Sequence, residues 1–244
     1  MIKDLLKGLT SLVYPPNCLI CKQYISTQSF GGMLCTHCKN SVKFNIPTFC
    51  LKCSRYLGKK IKYPLCKECR QKKPYFDFVW GCCLYEDPIK KLIHKFKYNQ
   101  RTVLRYLFFE LILSFISKYN LDIAQFDTIV PVPLFSTRLR ERGYNQSYLL
   151  ANEISKHFNI NISRNSLIKI KNTTPQALLT EKERWTNTQG AFRIKSPDKF
   201  KGKAVLIIDD LLTTGATVSE IALTLKESGA QTVAALTLAI TQEK

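Results

Sequence analysis

Eight of the ten cysteines fall into four Cys-x-x-Cys pairs: Cys18/Cys21, Cys35/Cys38, Cys50/Cys53 and Cys66/Cys69. Two intervening residues let a tight turn aim both sulfurs at one tetrahedral ion, and two such turns complete a four-thiolate shell. Thirteen residues separate the first two pairs and twelve the last two, room for a short hairpin that folds one knuckle onto the next. Two zinc ions held by sequential pairs are therefore expected. The eleven residues between the inner pairs keep a crossed arrangement, first with third and second with fourth, in competition. Iron–sulfur ligation is the weaker alternative, because the tighter ferredoxin-like spacings are missing. The metal reads as a fold staple: the segment is short and polar, and structural zinc contributes roughly 10 kcal/mol or more of folding free energy. With the shells already complete, His37 is a bystander.

Charge narrows the partners. The 244 residues carry 37 Lys+Arg against 18 Asp+Glu, a formal +19, while 45% hydrophobic residues exclude a wholly disordered chain. Such a balance calls for a polyanion: nucleic acid, phosphorylated metabolites or an anionic membrane surface. Membrane insertion is not expected, since the longest apolar stretch, Leu107 to Ile116, contains Glu110 and follows Arg105. Asp4 and Lys7 interrupt what would be the apolar stretch of a signal peptide, so residues 1–16 read as a short amphipathic helix. A cytoplasmic location follows, where regular cysteine spacing points to metal rather than disulfides.

The chain divides near Lys73-Pro74. Residues 1–76 hold fourteen Lys/Arg and two acids, a balance of +12, and the rest carries +7. Lys52, Arg55, Lys59, Lys60 and Lys62 interleave with Tyr56 and Tyr63, a mixture suited to phosphates and stacked bases. Residues 77–244 read as α/β. Strands are expected at 78–85, 128–132, 204–208 and 232–240, and helices at 88–98, 104–118, 146–157 and 217–228, with a loop-rich stretch at 172–190. Near-continuous apolar strands alternating with helices imply a parallel sheet covered on both faces. Cys82 and Cys83 fall in the first strand as small buried side chains. Lys90, Lys91, Lys95 and Lys97 give the first helix a basic face that snorkels or extends a basic track.

The sharpest local feature is Val205-Leu-Ile-Ile-Asp-Asp-Leu-Leu-Thr-Thr-Gly-Ala-Thr217. A buried strand delivers Asp209 and Asp210 to its C-terminal edge, where open α/β sheets bind ligands. Thr213, Thr214, Gly215, Ala216 and Thr217 then open a helix, so that N–H groups, hydroxyls and the helix dipole converge on an anion. Phosphate on the turn plus a vicinal diol on the carboxylates describes a ribose 5-phosphate.

That segment resembles the 5-phosphoribosyl-1-pyrophosphate (PRPP) motif of type I phosphoribosyltransferases. Val130-Pro-Val-Pro-Leu134, the run Arg138 to Gln146, and Gln176 with Arg184, Asn187 and Gly190-Ala-Phe192 narrow the likeness. With Pro15-Pro16 and the four knuckles ahead of them, the chain resembles the ComF/GntX family of competence-associated proteins along nearly its whole length. The resemblance implies a type I phosphoribosyltransferase-like sheet preceded by a double zinc ribbon. It implies that Asp209 and Asp210 hold the ribose hydroxyls, Thr213 to Thr217 the 5′-phosphate, and Val132, Pro133, Arg138 and Arg142 a pyrophosphate loop, with magnesium accompanying PRPP. Arg140 joins the other two arginines as a candidate for pyrophosphate or a nucleic-acid backbone. Thr174 to Gly190 occupies the place of a closing loop that could bring in Lys182 or Arg184.

Three readings follow. The first is a competence-type protein that binds and handles single-stranded DNA during uptake, with PRPP or a terminal phosphate at the elbow. The second is a magnesium-dependent phosphoribosyltransferase with an unknown acceptor. Thr213 stands where several purine-salvage transferases carry an Asp base, and no C-terminal hood is expected after the last strand. The third is a zinc-mediated scaffold that docks a helicase or another uptake protein.

Overall fold

The computed structural model describes residues 17–25, 33–59, 62–174 and 179–242. The expected N-terminal helix, the Pro15-Pro16 turn, Lys60 and Gln176 lie outside the described residues.

Five strands form one parallel sheet in the order β1 (Phe78–Leu84), β7 (Thr232–Ile240), β6 (Ala204–Leu212), β2 (Thr128–Pro131), β3 (Asn161–Ile162). A second, antiparallel pair joins β4 (Leu167–Lys169) to β5 (Phe192–Ile194). The central strands are apolar without alternation because both faces are covered: Val205 to Ile208 and Val233 to Leu236 are fully buried. Helices α3 (Ile89–Tyr98), α4 (Leu104–Lys118) and α6 (Gln146–Phe158) supply one apolar layer. Helix α8 (Ala216–Glu227) and the β4–β5 hairpin supply the other.

Strand β6 runs four residues beyond the expected end at Ile208. Its partner β7 continues beside it, with Asp209 opposite Thr237 and Leu212 opposite Ile240, whereas β2 stops at Pro131 opposite Ile208. The pair Asp209–Asp210 thus stands where β6 has a neighbour on one side only. The stretch expected to be loop contains α7 (Glu181–Thr188), whose capping box joins Thr180 and Glu183 reciprocally. A further helix, α5 (Ser136–Arg142), closes on Gly143 in the left-handed conformation.

Each cysteine quartet gathers sequentially: the sulfurs of Cys18, Cys21, Cys35 and Cys38 lie within 4.8 Å of one another, and so do those of Cys50, Cys53, Cys66 and Cys69. The crossed arrangement is thereby excluded. Short helices α1 (Thr36–Asn40) and α2 (Lys67–Lys72) start on the third sulfur of each set, where Cys35 and Cys66 accept from the N–H of Cys38 and Cys69. Burial first, and then a shared proton with Cys35, pushes the Cys38 thiol up to about 12. Four sulfurs this close suit a divalent cation that favours their ionised form and offsets half of their charge, and both quartets fit structural zinc.

The zinc ribbon also covers the outer edge of β1. The N–H groups of Val79 and Leu84 donate to the carbonyls of Lys52 and Lys43, each at 2.8 Å, and the Asn45 N–H donates to the Cys82 carbonyl at 2.8 Å. An edge strand left open would be a template for association, and here its polar groups are paired within the chain. Cys18 and Cys38 belong to one apolar layer of the sheet, and Cys50, Cys53 and Cys69 to the other. No helix of the described residues is long and apolar enough to cross a membrane.

Candidate functional site

The carboxylates of Asp209 and Asp210 are held differently although they are adjacent. Their partners come from two helices of one layer, α6 for Asp209 and α3 for Asp210. Asp209 is partly buried and its Oδ1 accepts from the Ser147 hydroxyl on α6 and from the Asp210 N–H, both at 2.9 Å. Asp210 is only 3% exposed, and its Oδ2 lies 2.7 Å from Lys97 Nζ at the end of α3. This ion pair leaves Asp210 Oδ2 without a well-aligned hydrogen bond.

Electrostatics follow from that packing. Burial, reinforced by the charge of Asp210, pushes the Asp209 carboxyl up to about 7 against the opposing pull of Lys97 and Ser147. Burial alone would lower the Lys97 ammonium, but the Asp210 carboxylate outweighs it and holds it above the usual lysine range. Lys169 moves the other way, lowered by burial and then by the neighbouring Arg138.

After β6 the chain turns at Gly215, whose φ of 82° is the left-handed conformation open to glycine, and α8 begins at Ala216. The N-cap Gly215 has no side chain to cap α8, the Thr214 hydroxyl accepts from the Ala216 N–H at 3.4 Å, and the dipole at this end favours an anion. Arg55 Nη2 donates to the Thr213 carbonyl at 2.6 Å while Nη1 pairs with Glu68 at 3.1 Å.

A cleft of about 500 Å³ opens beside the carboxylates, lined in part by Lys97, Tyr98, Arg138, Arg142 and Thr173. Arg138 and Arg142 are four residues apart on α5 and share the face that lines it, while Arg140 is exposed and is not part of the lining. Lys169 donates to the Thr173 hydroxyl at 2.7 Å. Lys97, Arg138 and Arg142 thus share the cleft with one acid, Glu141, and Lys97 links it to Asp210.

The double zinc ribbon domain matches residues 9–70 and the phosphoribosyl transferase domain matches residues 145–244. The chain is 30% identical to the DNA utilization protein YhgH of Salmonella typhi over 224 residues, covering 91% of this chain and 96% of that one. It is 30% identical to Competence protein F of Haemophilus influenzae over 225 residues, covering 84% and 96% respectively. The chain belongs to the ComF/GntX family. Among solved structures, a purine phosphoribosyltransferase from Pyrococcus horikoshii is 19% identical with a TM-score of 0.34, covering 57% of this chain and 73% of that one. The phosphoribosyltransferase-like assignment rests on the domain match and the parallel sheet.

The family resemblance places the pyrophosphate loop at Val132 and Pro133, but Val132 is buried and its N–H donates to the Ile208 carbonyl at 3.0 Å. Proline has no N–H, so the donors on this side of the cleft are Arg138 and Arg142. Lys182 and Arg184 sit on α7 rather than on a loop, and neither lines the cleft. Helix α7 instead brings Trp185 to a small space beside Arg55, Phe76 and Thr214.

The expected nucleic-acid patch on the zinc ribbon loses Arg55, which is 5% exposed and committed to Glu68 and Thr213. Lys52 is half-buried, while Tyr56, Lys59 and Lys62 are exposed. Tyr63 is exposed as well, with the Arg70 guanidinium 4.2 Å over its ring.

Three residues of the site escape a reading by sequence alone: Lys97, Ser147 and Lys169. A signal for Lys97 exists, because Ile89, Ile93 and Lys97 follow one another at intervals of four and the first two are buried. A lysine on the buried stripe of an amphipathic helix marks a partner in the interior. Ser147 and Lys169 carry no such mark.

Proposed function

We propose that this protein is a competence-type DNA-handling protein that binds single-stranded DNA and holds a phosphoribosyl ligand of the PRPP type in the cleft. The observation that supports the ligand is the Lys97–Asp210 ion pair, which joins the cleft lined by Lys97, Arg138 and Arg142 to the end of β6 that leads into α8. Asp209 and Asp210 accept from the ribose hydroxyls, the Thr213 to Thr217 turn takes the 5′-phosphate, and the cations take the pyrophosphate. Magnesium accompanying PRPP would supply charge neutralisation beside Asp209 and Asp210. Competence and DNA utilization are named for relatives that align along nearly the full chain, which supports the DNA role.

Titration calorimetry of the zinc-loaded chain with PRPP and magnesium tests the ligand. Saturable binding lost in Asp210→Ala supports it, and no heat at millimolar PRPP rejects it. Anisotropy of a labelled oligothymidylate across a salt series tests the DNA role. Engagement of about four phosphates predicts a log–log slope near −2.8 and affinity that falls roughly fifty-fold between about 50 and 200 mM salt.

A second reading is phosphoribosyl transfer. It is favoured by the extension of the cleft past the cations to Tyr98, which is 64% exposed and leaves room for an acceptor. Pyrophosphate release with a panel of bases is its test, since fold and ligand motif alone do not establish a reaction.

A further inference from the structure

A second concavity, of about 640 Å³, lies at the opposite end of the sheet from the Asp209–Asp210 pair. Thr128 and Asn161, the first residues of β2 and β3, form part of it, as does Lys203, which directly precedes β6. Lys203 and Asp210 are two ends of one extended segment, roughly 20 Å apart at the rise of a β-strand.

Four cations line this groove, Arg164, Lys195, Lys199 and Lys203, and all four are exposed. The rest of the lining is mostly hydroxyl and amide side chains, and it includes no carboxylate. Nor does any of the four make an ion pair among the described residues, whereas Arg55, Lys97 and Arg105 are each matched to an acid. The acids closest in sequence stand apart from the lining. Asp127 accepts from the Ala204 N–H at 2.7 Å, and Asp198 shares a short 3₁₀ turn with Lys199. Four like charges kept together without counter-ions cost stability, and an anion that bridges them removes the cost.

Their arrangement selects the anion. The cations come from two connections, Arg164 between β3 and β4 and Lys195, Lys199 and Lys203 between β5 and β6. Arg164 lays its guanidinium 4.2 Å over the ring of Tyr148, a flat cationic surface on which a base can stack.

We propose that this groove is a second nucleic-acid contact, which takes the phosphodiester backbone of a single strand. The assignment rests on the single-strand handling proposed above and adds where the strand runs. The groove and the cleft share no lining residue, so a strand held here need not occupy the phosphoribosyl site.

The test is the affinity of the full zinc-loaded chain for labelled oligothymidylate across a salt series, comparing wild type with Arg164→Glu/Lys199→Glu. Loss of two phosphate contacts should make the log–log slope shallower by about 1.4 and lower affinity at least tenfold. PRPP binding to the cleft should stay unchanged. Should charge reversal impair folding, Arg164→Gln/Lys199→Gln carries the same expectation with a smaller loss. A wild-type slope and affinity in a folded variant overturns the groove while the DNA-handling role stands, and Lys62→Glu/Tyr63→Ala then reports whether the zinc ribbon is the contact. Failure of the wild-type chain to bind the oligonucleotide at low salt overturns both.

Discussion

Arg55, just after the third zinc knuckle, donates through Nη2 to the main-chain oxygen of Thr213, 2.6 Å away, and so ties the zinc ribbon to the turn between β6 and α8. The same guanidinium reaches Glu68 at 3.1 Å, next to Cys66 and Cys69 in the chain. A planar fork with fixed donors can serve a carboxylate and a carbonyl at once, and its rigidity passes the position of the metal-held knuckle to the turn. The ribbon therefore does two jobs through contacts within the chain: it closes the β1 edge and braces the turn between β6 and α8.

Replacing Arg55 by lysine keeps the charge but removes the fork. Arg55→Lys is expected to weaken PRPP binding about tenfold in calorimetry. Arg55→Ala should also lower stability, by about 3 kcal/mol in urea unfolding, because the buried guanidinium's bonds to Glu68 and to the Thr213 carbonyl are both lost. An unchanged PRPP affinity in both variants would show that the turn needs no brace.

Lys97 and Asp210 are predicted to be coupled. Lys97→Met leaves a carboxylate that is 3% exposed without its counter-charge, and should cost about 3 kcal/mol. Asp210→Asn added to Lys97→Met should restore much of that stability. A double-mutant cycle that gives additive effects would contradict the pairing.

The elevated Asp209 carboxyl predicts pH dependence with a definite sign. With its folded value raised to about 7, the native chain binds more protons than the unfolded chain between the ordinary carboxylate range and pH 7. Its contribution to stability therefore falls as pH rises through that window. Ligand binding goes the other way: ribose hydroxyls donate to the ionised form, so PRPP affinity should rise about tenfold from pH 6 to 8. The phosphates of PRPP titrate in the same range, so the ratio of wild type to Asp209→Asn isolates the carboxyl, and a flat ratio would reject the role.

Zinc removal should damage more than the ribbon. Chelation withdraws roughly 10 kcal/mol or more per site from folding, and it releases the strands of contact that cover β1. Aggregation together with loss of PRPP binding is expected, followed by light scattering and calorimetry as zinc is titrated back. Retained PRPP affinity in a chelated, monomeric chain would separate the two halves.

Much of the molecule is legible without coordinates where one local rule dominates. The spacing within each Cys-x-x-Cys pair prescribes a metal knuckle, and the apolar run Val205 to Ile208 followed by two acids and a Thr-Thr-Gly turn prescribes a strand, a ligand edge and a helix start. Local rules also contain signals that a first reading passes over: Thr180 and Glu183 spell a capping box inside a stretch otherwise read as loop.

What distant segments do to one another lies beyond such rules. Cys-x-x-Cys spacing admits sequential and crossed quartets alike, and only the folded chain chose the sequential one. Arg55 looks like one more cation in a basic run until Glu68 and Thr213, the latter 158 residues away, enclose it. Lys97 and Asp210, and Ser147 and Asp209, meet because helices α3 and α6 pack over one sheet. Sequence by itself determined which side chains could bind metal and phosphate, since that chemistry is local. Tertiary structure decided which charges are matched and which are left facing solvent, because burial and distance, the quantities that set an electrostatic energy, exist only after the chain has folded.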